Sequence, residues 1–311
     1  LIKNIPIYMR AEIEAADAYE LDSDLFSHKA SLAPDADYGL IQETIQLMND
    51  YLSLLQCPLH PFALTIRGKM EKDGRKFGLG SSGSVVVLTI KAMAAFYQLK
   101  LSSDLLFRLA AVVLLERGDN GSMGDLACIA YEQLVYYRSF DRMAIRQRLV
   151  DTNLLEILKH NWGYEIKPIY PALSCDFLVG WTREPAISSD LVKQVKSSLN
   201  EAFLIQTQLQ VDGLKEALES ADKTAVKNSL LTASQLLDSL SPLIYTEKLQ
   251  ALREASQGLD CVAKSSGAGG GDCGFALSFA TEDSQTLIQR WQEAGLELLY
   301  QERMGAHEPK S

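Results

Sequence analysis

The segment 78–84, with the sequence GLGSSGS, constrains the fold more than any other part of this chain. Leu79 is its only bulky residue, and the apolar stretch 85–96 that follows predicts a buried helix. A helix that begins in a loop of small residues leaves several backbone N–H groups free, and its dipole adds partial positive charge there. The sequence therefore predicts a phosphate-binding site at the start of this helix.

The charges around the loop also favour an anionic ligand. The formal net charge of the chain is −10, yet the segment 67–76 carries five cations and two acids. The cations are Arg67, Lys69, Lys72, Arg75 and Lys76. An acidic protein lacks the basic face of a general nucleic-acid binder, so we expect small anionic ligands and no nucleic-acid partner.

Length and composition predict a folded chain with two domains. The 311 residues, 47% of them hydrophobic, are enough for two ordinary domains with their own cores. Five cysteines without any CxxC pair, and four histidines far apart in sequence, predict neither a disulfide framework nor a structural metal. No apolar run reaches transmembrane length and no signal peptide is visible. We therefore expect a cytoplasmic protein without a membrane partner.

Periodicity and turn residues predict a mixture of helices and strands. The predicted helices are 40–55, the stretch from the glycine loop to about Tyr97, 105–116, 189–205, 211–220, 223–240, 245–263 and 283–294. Strands are predicted within 4–22 and at 60–66, 175–181, 275–279 and 295–301. Candidate helix caps are Asp35 to Asp37 and Ser102. The stretch 126–137 is compatible with a helix that continues as a strand, and the C-terminal residues 305–311 are expected to fray. Without regular βαβ alternation we expect the α+β class, with domains at 1–172 and 173–311.

A second glycine-rich cluster lies far from the first, with five glycines among residues 267–274. Each glycine raises the entropy lost on folding, so such a concentration indicates that a ligand approaches the backbone closely. Two such loops are expected to close on one polyphosphate. A third segment, 120–125, is a turn of small residues that ends in Asp125 and is suited to present an acid beside a phosphate. For this aspartate alone, a simple helix cap is the commoner explanation.

Three familiar classes of glycine loop do not account for this segment, either because the loop pattern fails or because the sequence around it does not match. Residues 78–83 satisfy GxGxxG, but the charged run 67–76 replaces the strand that a dinucleotide-binding loop needs directly before it. The pattern of the protein-kinase glycine loop also fits, although no VAIK, HRD or DFG element follows. The Walker A pattern fails because no lysine follows the last glycine.

The three segments, in this order, resemble the motifs of the GHMP kinases, the superfamily that includes galactokinase, homoserine kinase, mevalonate kinase and phosphomevalonate kinase. The strings RKFGLGSSGS at 75–84, RGDNGSMGDLA at 117–127 and AKSSGAGGGDCG at 263–274 are similar to those of its bacterial phosphomevalonate kinase branch. The similarity extends over about residues 1–305. It implies a two-domain fold with a ribosomal S5-like N-terminal domain and a ferredoxin-like, partly helical C-terminal domain.

The family pattern differs from this sequence at one end. The first family motif, a strand and loop with a lysine and a Gly-Glu pair, has no counterpart here, and the chain begins Leu1-Ile2-Lys3 without methionine. We therefore expect that the chain begins partway through a domain. Restoring a segment with the family's N-terminal lysine is expected to raise activity.

The resemblance implies transfer of the γ-phosphoryl group of ATP, with Mg²⁺, to the phosphate of 5-phosphomevalonate. The products are 5-diphosphomevalonate and ADP, in the mevalonate route to isoprenoids. Asp125 and Lys76 are the implied catalytic residues, and Ser82 is the implied metal ligand. The implied nucleotide-binding residues are Gly78, Gly80, Ser81, Ser82, Gly83, Ser84, Gly267, Ala268 and Gly269. The implied acceptor-binding residues are Lys76, Ser122, Gly124, Asp125, Ser266 and Ala268.

Two alternatives remain at this stage. A mevalonate kinase would take an alcohol acceptor, and a non-catalytic nucleotide-binding module would keep the fold without the reaction. The basic segment favours a phosphate acceptor over an alcohol, and Asp125 together with both glycine loops favours catalysis. For Lys76, an ordinary solvated surface lysine is the alternative. The chain is expected to act as a monomer or a homodimer.

Overall fold

The computed structural model describes residues 1–6, 9–68, 70–186, 195, 199–267 and 269–305. The chain divides into two compact units. The first comprises Leu1–Lys69 and Gly80–Pro168, and the second comprises Met70–Leu79 and Ile169–Ser311. The boundary between them therefore falls inside the glycine loop 78–84. The expected domain division at residue 172 stays a prediction.

The first unit contains two three-stranded sheets. Its strands are β1 (Ile2–Lys3), β2 (Arg10–Ala15), β3 (Glu20–Ser23), β4 (Phe62–Arg67), β7 (Leu134–Arg138) and β8 (Glu165–Pro168). In one sheet β7 lies between β1 and β8 and is antiparallel to both. In the other, β4 lies between β2, which is antiparallel to it, and β3, which is parallel. Alternate residues of β4 are buried, as expected for a strand with one face on a core.

The described helices of the first unit pack on one another around a single core. They are α1 (Gly39–Leu54), α2 (Ser81–Phe96), α3 (Ser103–Glu116), α4 (Gly124–Tyr131), α5 (Arg142–Asp151) and α6 (Leu154–Lys159). Helix α2 contacts α1, α3 and α4, and its residues Val86, Ile90 and Met93 are fully buried. The small residues at the start of α2 are therefore fixed by a helix that the core holds on several sides.

The second unit is built on a four-stranded antiparallel sheet. Its strands are β9 (Cys175–Trp181), β10 (Cys261–Ser265), β11 (Cys273–Ser278) and β12 (Glu297–Met304), in the order β10-β11-β9-β12. Its helices among the residues that the structure describes include α7 (Glu201–Glu219), α8 (Lys223–Leu240), α9 (Glu247–Glu254) and α10 (Thr281–Glu293). Trp291 of α10 is fully buried, and its indole Nε1 donates a hydrogen bond to the carbonyl oxygen of Leu252 at 3.0 Å. This contact ties α10 to α9 beside the sheet.

A short hairpin also belongs to the second unit. It consists of β5 (Glu71–Lys72) and β6 (Arg75–Lys76), joined by a turn in which Asp73 and Gly74 have positive φ angles. Lys72 forms an ion pair with Glu297 on β12 at 2.5 Å. Arg75 donates to the carbonyl oxygen of Arg183 at 2.9 Å. These contacts hold the basic segment against the second unit immediately before the glycine loop.

The predicted α+β class is confirmed, and several elements have the expected position. Helix α2 begins in the glycine loop, and the stretch 126–137 is the end of α4 followed by β7. Ser102 caps α3, because its hydroxyl accepts a hydrogen bond from the N–H of Leu105 at 3.1 Å. None of the helices within the described ranges is both long enough and apolar enough to cross a bilayer.

Other elements differ from the prediction. The helix predicted at 245–263 ends at Glu254, because Gly258 adopts a left-handed conformation and 261–265 pairs with β11 as a strand. The break predicted between the helices 189–205 and 211–220 is wrong, since α7 continues through 201–219. Of the helix predicted at 189–205, residues 189–194 and 196–198 lie outside the described residues. Asp35 is not the N-cap of α1, which is Tyr38, although its Oδ1 accepts from the Tyr38 N–H at 3.2 Å. Of the predicted frayed tail, 306–311 also lies outside the described residues.

Candidate functional site

The glycine loop, in which Leu79 is the only bulky residue, leads into the start of α2. Gly78 and Gly80 both adopt left-handed conformations, with φ of 70° and 79°. Gly80 is the N-cap of α2, and no side chain accepts a hydrogen bond at this cap. Ser82 in the first turn is exposed, whereas Gly83 is buried. The free N–H groups and the dipole of α2 make this turn suitable for an anion.

Asp125 lies against the same turn, within the first unit. A Cβ atom at Gly83 would be 2.6 Å from Asp125 Oδ2, and a Cβ atom at Gly80 would be 3.1 Å from it. The carboxylate therefore fills the space that side chains at these two positions would need. Asp125 is in the first turn of α4, not at its N-cap, which is Met123 with a φ of 62°. The structure thus brings together three of the predicted site residues: Gly80, Gly83 and Asp125.

Burial raises the pKa of Asp125 above the usual value for an aspartate. The charge of Asp119 acts in the same direction, whereas hydrogen bonds from the backbone N–H groups of Leu126 and Asp125 oppose the rise. The carboxylate is therefore less well solvated than a surface acid, and a cation or a hydrogen-bond donor beside it would relieve that cost.

Cys128, one helical turn after Asp125, is a packing residue. Its thiol donates to the backbone carbonyl oxygen of Asp125 at 3.2 Å. Burial, with a smaller effect of the Asp125 charge, raises the pKa of Cys128 to about 12. The sulfur therefore stays protonated at neutral pH and is not a nucleophile.

The turn before Asp125 is held by an aromatic side chain. The hydroxyl of Tyr137 donates to the carbonyl oxygen of Ser122 at 2.6 Å. The N–H of Gly124 donates to Ser122 Oγ at 3.3 Å, and Ser122 itself is exposed. A Cβ atom at Gly124 would be 2.1 Å from Ile2 Cδ1 and 3.2 Å from Tyr137 Cδ1, so a larger residue here would require the Ile2 side chain to move. The Ser122 hydroxyl can still donate its own proton to a ligand.

The second glycine cluster serves two purposes, only one of which the sequence indicates. Gly267 has a φ of 61°, is exposed, and would place a Cβ atom in open space. Gly269 is buried, and its Cβ atom would be 2.6 Å from the carbonyl oxygen of Ile244. A Cβ atom at Gly271 would be 2.9 Å from backbone atoms of residues 184–186. Gly267 is thus open to a ligand, whereas Gly269 and Gly271 make room for the protein's own backbone.

Of the remaining predicted residues, Ser81 and Ser84 are partly buried, and the Ser84 hydroxyl donates to the Gly80 carbonyl oxygen at 3.0 Å. The others are exposed or lie outside the described residues. Lys76 and Ser266 are exposed; Lys76 pairs with Glu71 through its backbone, but its side chain has no hydrogen bond or ion pair with any residue that the structure describes. The N–H of Ser266 donates to the carbonyl oxygen of Cys273 at 3.0 Å. Ala268 lies outside the described residues.

The sequence reasoning did not single out Lys264 or Asp272, which flank the exposed part of the second cluster. Burial lowers the pKa of Lys264 to about 8, and its ammonium group donates to the Ser265 carbonyl oxygen at 2.6 Å. Burial raises the pKa of Asp272. A cation and an acid next to a glycine-rich stretch were visible in the sequence, but their burial was not.

One group of side chains with metal-ligand chemistry is present among the described residues. His28, Asp35 and Asp37 lie together on the first unit, with His28 Nε2 2.8 Å from Asp35 Oδ2. The spacing of the four histidines had suggested no such pattern, because it did not take into account the two aspartates that follow His28. The ion pair between His28 and Asp35 raises the pKa of His28 and lowers that of Asp35, which accounts for the contact without a metal.

The comparisons with known proteins agree with this architecture. The family model described as the GHMP kinases N-terminal domain matches residues 39–133, and the one described as GHMP kinases C-terminal matches residues 214–296. The chain belongs to the GHMP kinases, and the predicted family and enzyme class, a small-molecule kinase, are confirmed. Both glycine loops and Asp125 belong to the segments on which that prediction was based.

Within this family the chain is similar to phosphomevalonate kinases. It is 54% identical to the Streptococcus pneumoniae phosphomevalonate kinase solved in complex with phosphomevalonate and AMPPNP; the match covers 97% of this chain and 92% of that chain, with a TM-score of 0.94. The phosphomevalonate kinase of Streptomyces sp. (strain CL190) is 37% identical over 246 residues, which are 75% of this chain and 66% of that protein. The mevalonate kinase of Methanocaldococcus jannaschii is 26% identical over 240 residues, 76% of this chain and 68% of that protein.

Proposed function

We propose that this chain transfers the γ-phosphoryl group of ATP to the phosphate of 5-phosphomevalonate. The products are 5-diphosphomevalonate and ADP, which makes the reaction a step of the mevalonate route to isoprenoids. The observation that carries the proposal is the Asp125 carboxylate facing Gly80 and Gly83 at the start of α2. The 54% identity to a phosphomevalonate kinase over nearly the whole chain supports phosphomevalonate as the acceptor.

Phosphoryl transfer between two phosphates is mainly a problem of alignment and charge neutralisation. The N–H groups of residues 80–83 bind the phosphates of ATP at the positive end of α2, whereas the N–H of Ser84 donates to the Gly80 carbonyl oxygen at 3.0 Å. Gly267, which faces open space, is a second nucleotide-binding position, and Ala268 is proposed beside it from the sequence alone. Gly78 and Gly269 act by shaping the backbone, because protein atoms occupy the space beside them.

Asp125 acts mainly by orienting charge, not by removing a proton. A phosphate monoester has a second pKa of about 6, so the acceptor is already ionised near neutral pH. The half-buried Asp125 carboxylate, which lies beside the start of α2, can instead fix a cation or a donor next to the phosphates. The Ser122 hydroxyl, which accepts from the Gly124 N–H and keeps its own proton to donate, is proposed to contact the acceptor together with Gly124, with Ser266 as a further donor.

The residues beside the phosphate loop also suit Mg²⁺. Ser82 presents an exposed hydroxyl in the first turn of α2, and the Asp125 carboxylate faces the next residue, Gly83. Hydroxyl and carboxylate oxygens are ligands that magnesium accepts, with phosphate oxygens and water completing its shell. When bound, the metal supplies charge neutralisation for the phosphates.

Lys76 is proposed to contribute a positive charge to the reacting phosphates. It is exposed, its side chain has no partner among the described residues, and it follows the anchored residues Lys72 and Arg75 in the hairpin. Its side chain is therefore free to reach a ligand, whereas the other two cations hold the hairpin in place. We further propose that the protein acts in the cytoplasm, since all five cysteines are free thiols.

A coupled assay that measures ADP release tests the function. With ATP and Mg²⁺, 5-phosphomevalonate should support turnover and mevalonate should not. Turnover with mevalonate alone would identify an alcohol kinase instead. Binding of ATP without any phosphoryl transfer would favour a non-catalytic nucleotide-binding module.

A further inference from the structure

We propose that Asp272 is a positioning residue that fixes the first glycine of the phosphate loop. This inference rests on the proposed function, because it assigns to a residue of the second glycine cluster a role in ATP binding at the first loop. All residues that carry it belong to the second unit. Its basis is the packing of Asp272 against Gly78 and the hydrogen bonds that hold Asp272 itself.

The contact between the two residues is close. A Cβ atom at Gly78 would be 2.1 Å from Asp272 Oδ2, 2.2 Å from its Cγ and 2.6 Å from its Cβ. The carboxylate therefore occupies the space beside the Gly78 Cα, and no other amino acid fits at residue 78 without displacing it. Gly78 has a φ of 70°, a conformation that other residues rarely adopt. The Asp272 side chain thus packs against the backbone where that backbone turns into the loop.

Asp272 is held rigidly enough to act as a support. Its N–H donates to the carbonyl oxygen of Glu184 at 2.7 Å, and its own carbonyl oxygen accepts from the N–H and the hydroxyl of Thr182, both at 2.8 Å. The side-chain oxygen Oδ1 accepts from the N–H of Ala186 at 3.1 Å. Asp272 also has a positive φ of 53°, which is uncommon for a residue other than glycine. Four hydrogen bonds to the segment after β9 stabilise this conformation.

Neighbouring contacts hold the residue before Gly78. The thiol of Cys273 donates to the carbonyl oxygen of Phe77 at 3.2 Å. The ring of Phe77 packs edge-on against Trp181, with centroids 5.1 Å apart. Burial raises the pKa of Cys273, so its thiol keeps the proton that it donates. Residues 77 and 78 are therefore both fixed by the consecutive residues 272 and 273.

The charge of Asp272 is not what this role needs. A carboxylate beside the start of a phosphate loop repels the phosphates, so the benefit must come from its volume and from the Oδ1 acceptor. Asparagine keeps both the volume and an acceptor oxygen but removes the charge. Alanine removes all three. The two substitutions therefore separate positioning from electrostatics.

The kinetic test compares Asp272→Ala with Asp272→Asn. We expect Asp272→Ala to raise the KM for ATP about 10-fold, the effect of about 1.4 kcal/mol, and to change the KM for 5-phosphomevalonate less than about 2-fold. Asp272→Asn, by contrast, should leave the KM for ATP within about 2-fold of the parent value. A purely structural role lowers the amount of active enzyme, which reduces kcat and leaves both KM values unchanged. That result, or equal KM values for the two variants, overturns the proposal.

A double-substitution cycle tests the contact without reference to activity. Gly78→Ala should lower the Tm of the parent chain, and in the Asp272→Gly background its effect should be smaller by at least about 3 °C, because glycine removes every side-chain atom of residue 272 that collides with the new methyl. Gly74→Ala is the matched control, since Gly74 also has a positive φ, 72°, but nothing within 4 Å of its Cβ position. Its effect should be the same in both backgrounds.

Additive effects of Gly78→Ala and Asp272→Gly would refute the contact. The proposed function fails separately, if the parent chain transfers no phosphate to 5-phosphomevalonate. In that case the Tm cycle still decides whether Asp272 supports Gly78, and the affinity for the ATP analogue AMPPNP replaces the KM for ATP.

Discussion

Replacing Asp125 by asparagine should lower activity and raise stability at the same time. Asparagine has nearly the same shape, so it preserves the packing against Gly80 and Gly83, but it cannot carry the charge. Removing an electrostatic group that is aligned with the reacting phosphates typically lowers kcat by about 100-fold or more. The affinity for ATP should change by less than about 2-fold, because the N–H groups of α2 remain.

The sign of the stability effect follows from the raised pKa of Asp125. The Asp125 carboxyl binds its proton more tightly in the native protein than in the unfolded chain. Protonation of Asp125 therefore stabilises the native state, and this stabilisation is fully present at low pH. It is lost as the pH rises through the native pKa, and ionised Asp125 then lowers the free energy of unfolding. Each unit by which the pKa is raised corresponds to about 1.4 kcal/mol. For a folding unit of this size, about 1 kcal/mol shifts Tm by about 2–4 °C.

The assay is denaturant unfolding of the parent and of Asp125→Asn between about pH 4 and pH 8. The stability advantage of the variant should be small at the acidic end and should grow until the native carboxyl is fully ionised. Asp17→Asn, at an exposed turn position of the first unit, is the control and should give no comparable advantage. An Asp125→Asn variant that is less stable than the parent at every pH, or equally active, would refute this account of the buried carboxylate.

Three further predictions concern the exposed lysine and two glycines of the second unit. Lys76→Ala should raise the KM for both substrates by about 10-fold, the effect of a lost charged contact, and should leave Tm within about 1 °C of the parent value. Steady-state kinetics and thermal unfolding measure the two effects. A change in stability without a change in KM would indicate an ordinary surface lysine. Gly180→Ala should destabilise the chain by about 1–3 kcal/mol, because its methyl would be 2.9 Å from Leu252 Cδ1 and 3.0 Å from Trp291. By contrast, Gly213→Ala in the interior of α7, with no atom nearer than 3.4 Å, should stabilise it by about 0.4–1 kcal/mol, and denaturant unfolding compares the two.

The parts of the fold with a strong local signal could be predicted from the sequence. The apolar stretch after Ser84 and the Ser102 cap fix α2 and α3 without reference to the rest of the chain. Strand β10 could not be recognised, because Val262 and Ala263 are compatible with either a helix or a strand until β11 is beside them. The hairpin β5–β6 was hidden for a similar reason: its charged residues show no alternation, and ion pairs with distant residues hold it in place.

The candidate site could be predicted only as a set of segments. The pairing of Asp125 with Gly80 and Gly83 depends on how α4 packs against α2, which no local pattern encodes. The reason for the glycines was also only partly visible. Gly267 is open to solvent, as a ligand-binding position should be, but Gly269 and Gly271 exist because other backbone segments pass close to them. Close approach of a backbone and close approach of a ligand leave the same signature in a sequence.

The two aspartates explain why the phosphate loop has glycine at positions 78, 80 and 83. Within the second unit Asp272 fills the space beside Gly78, and within the first unit Asp125 fills the space beside Gly80 and Gly83. Burial raises the pKa of both carboxyls, so neither acid is there because its own charge is favourable. Carboxylates beside a loop for phosphates are tolerable only if cations balance them or if their shape is what the loop requires. We assign the first reason to Asp125, whose place at the start of α2 suits a metal-bound phosphate, and the second to Asp272, which is anchored by four hydrogen bonds. Substitution by asparagine distinguishes the two reasons, since it should abolish the first role and preserve the second.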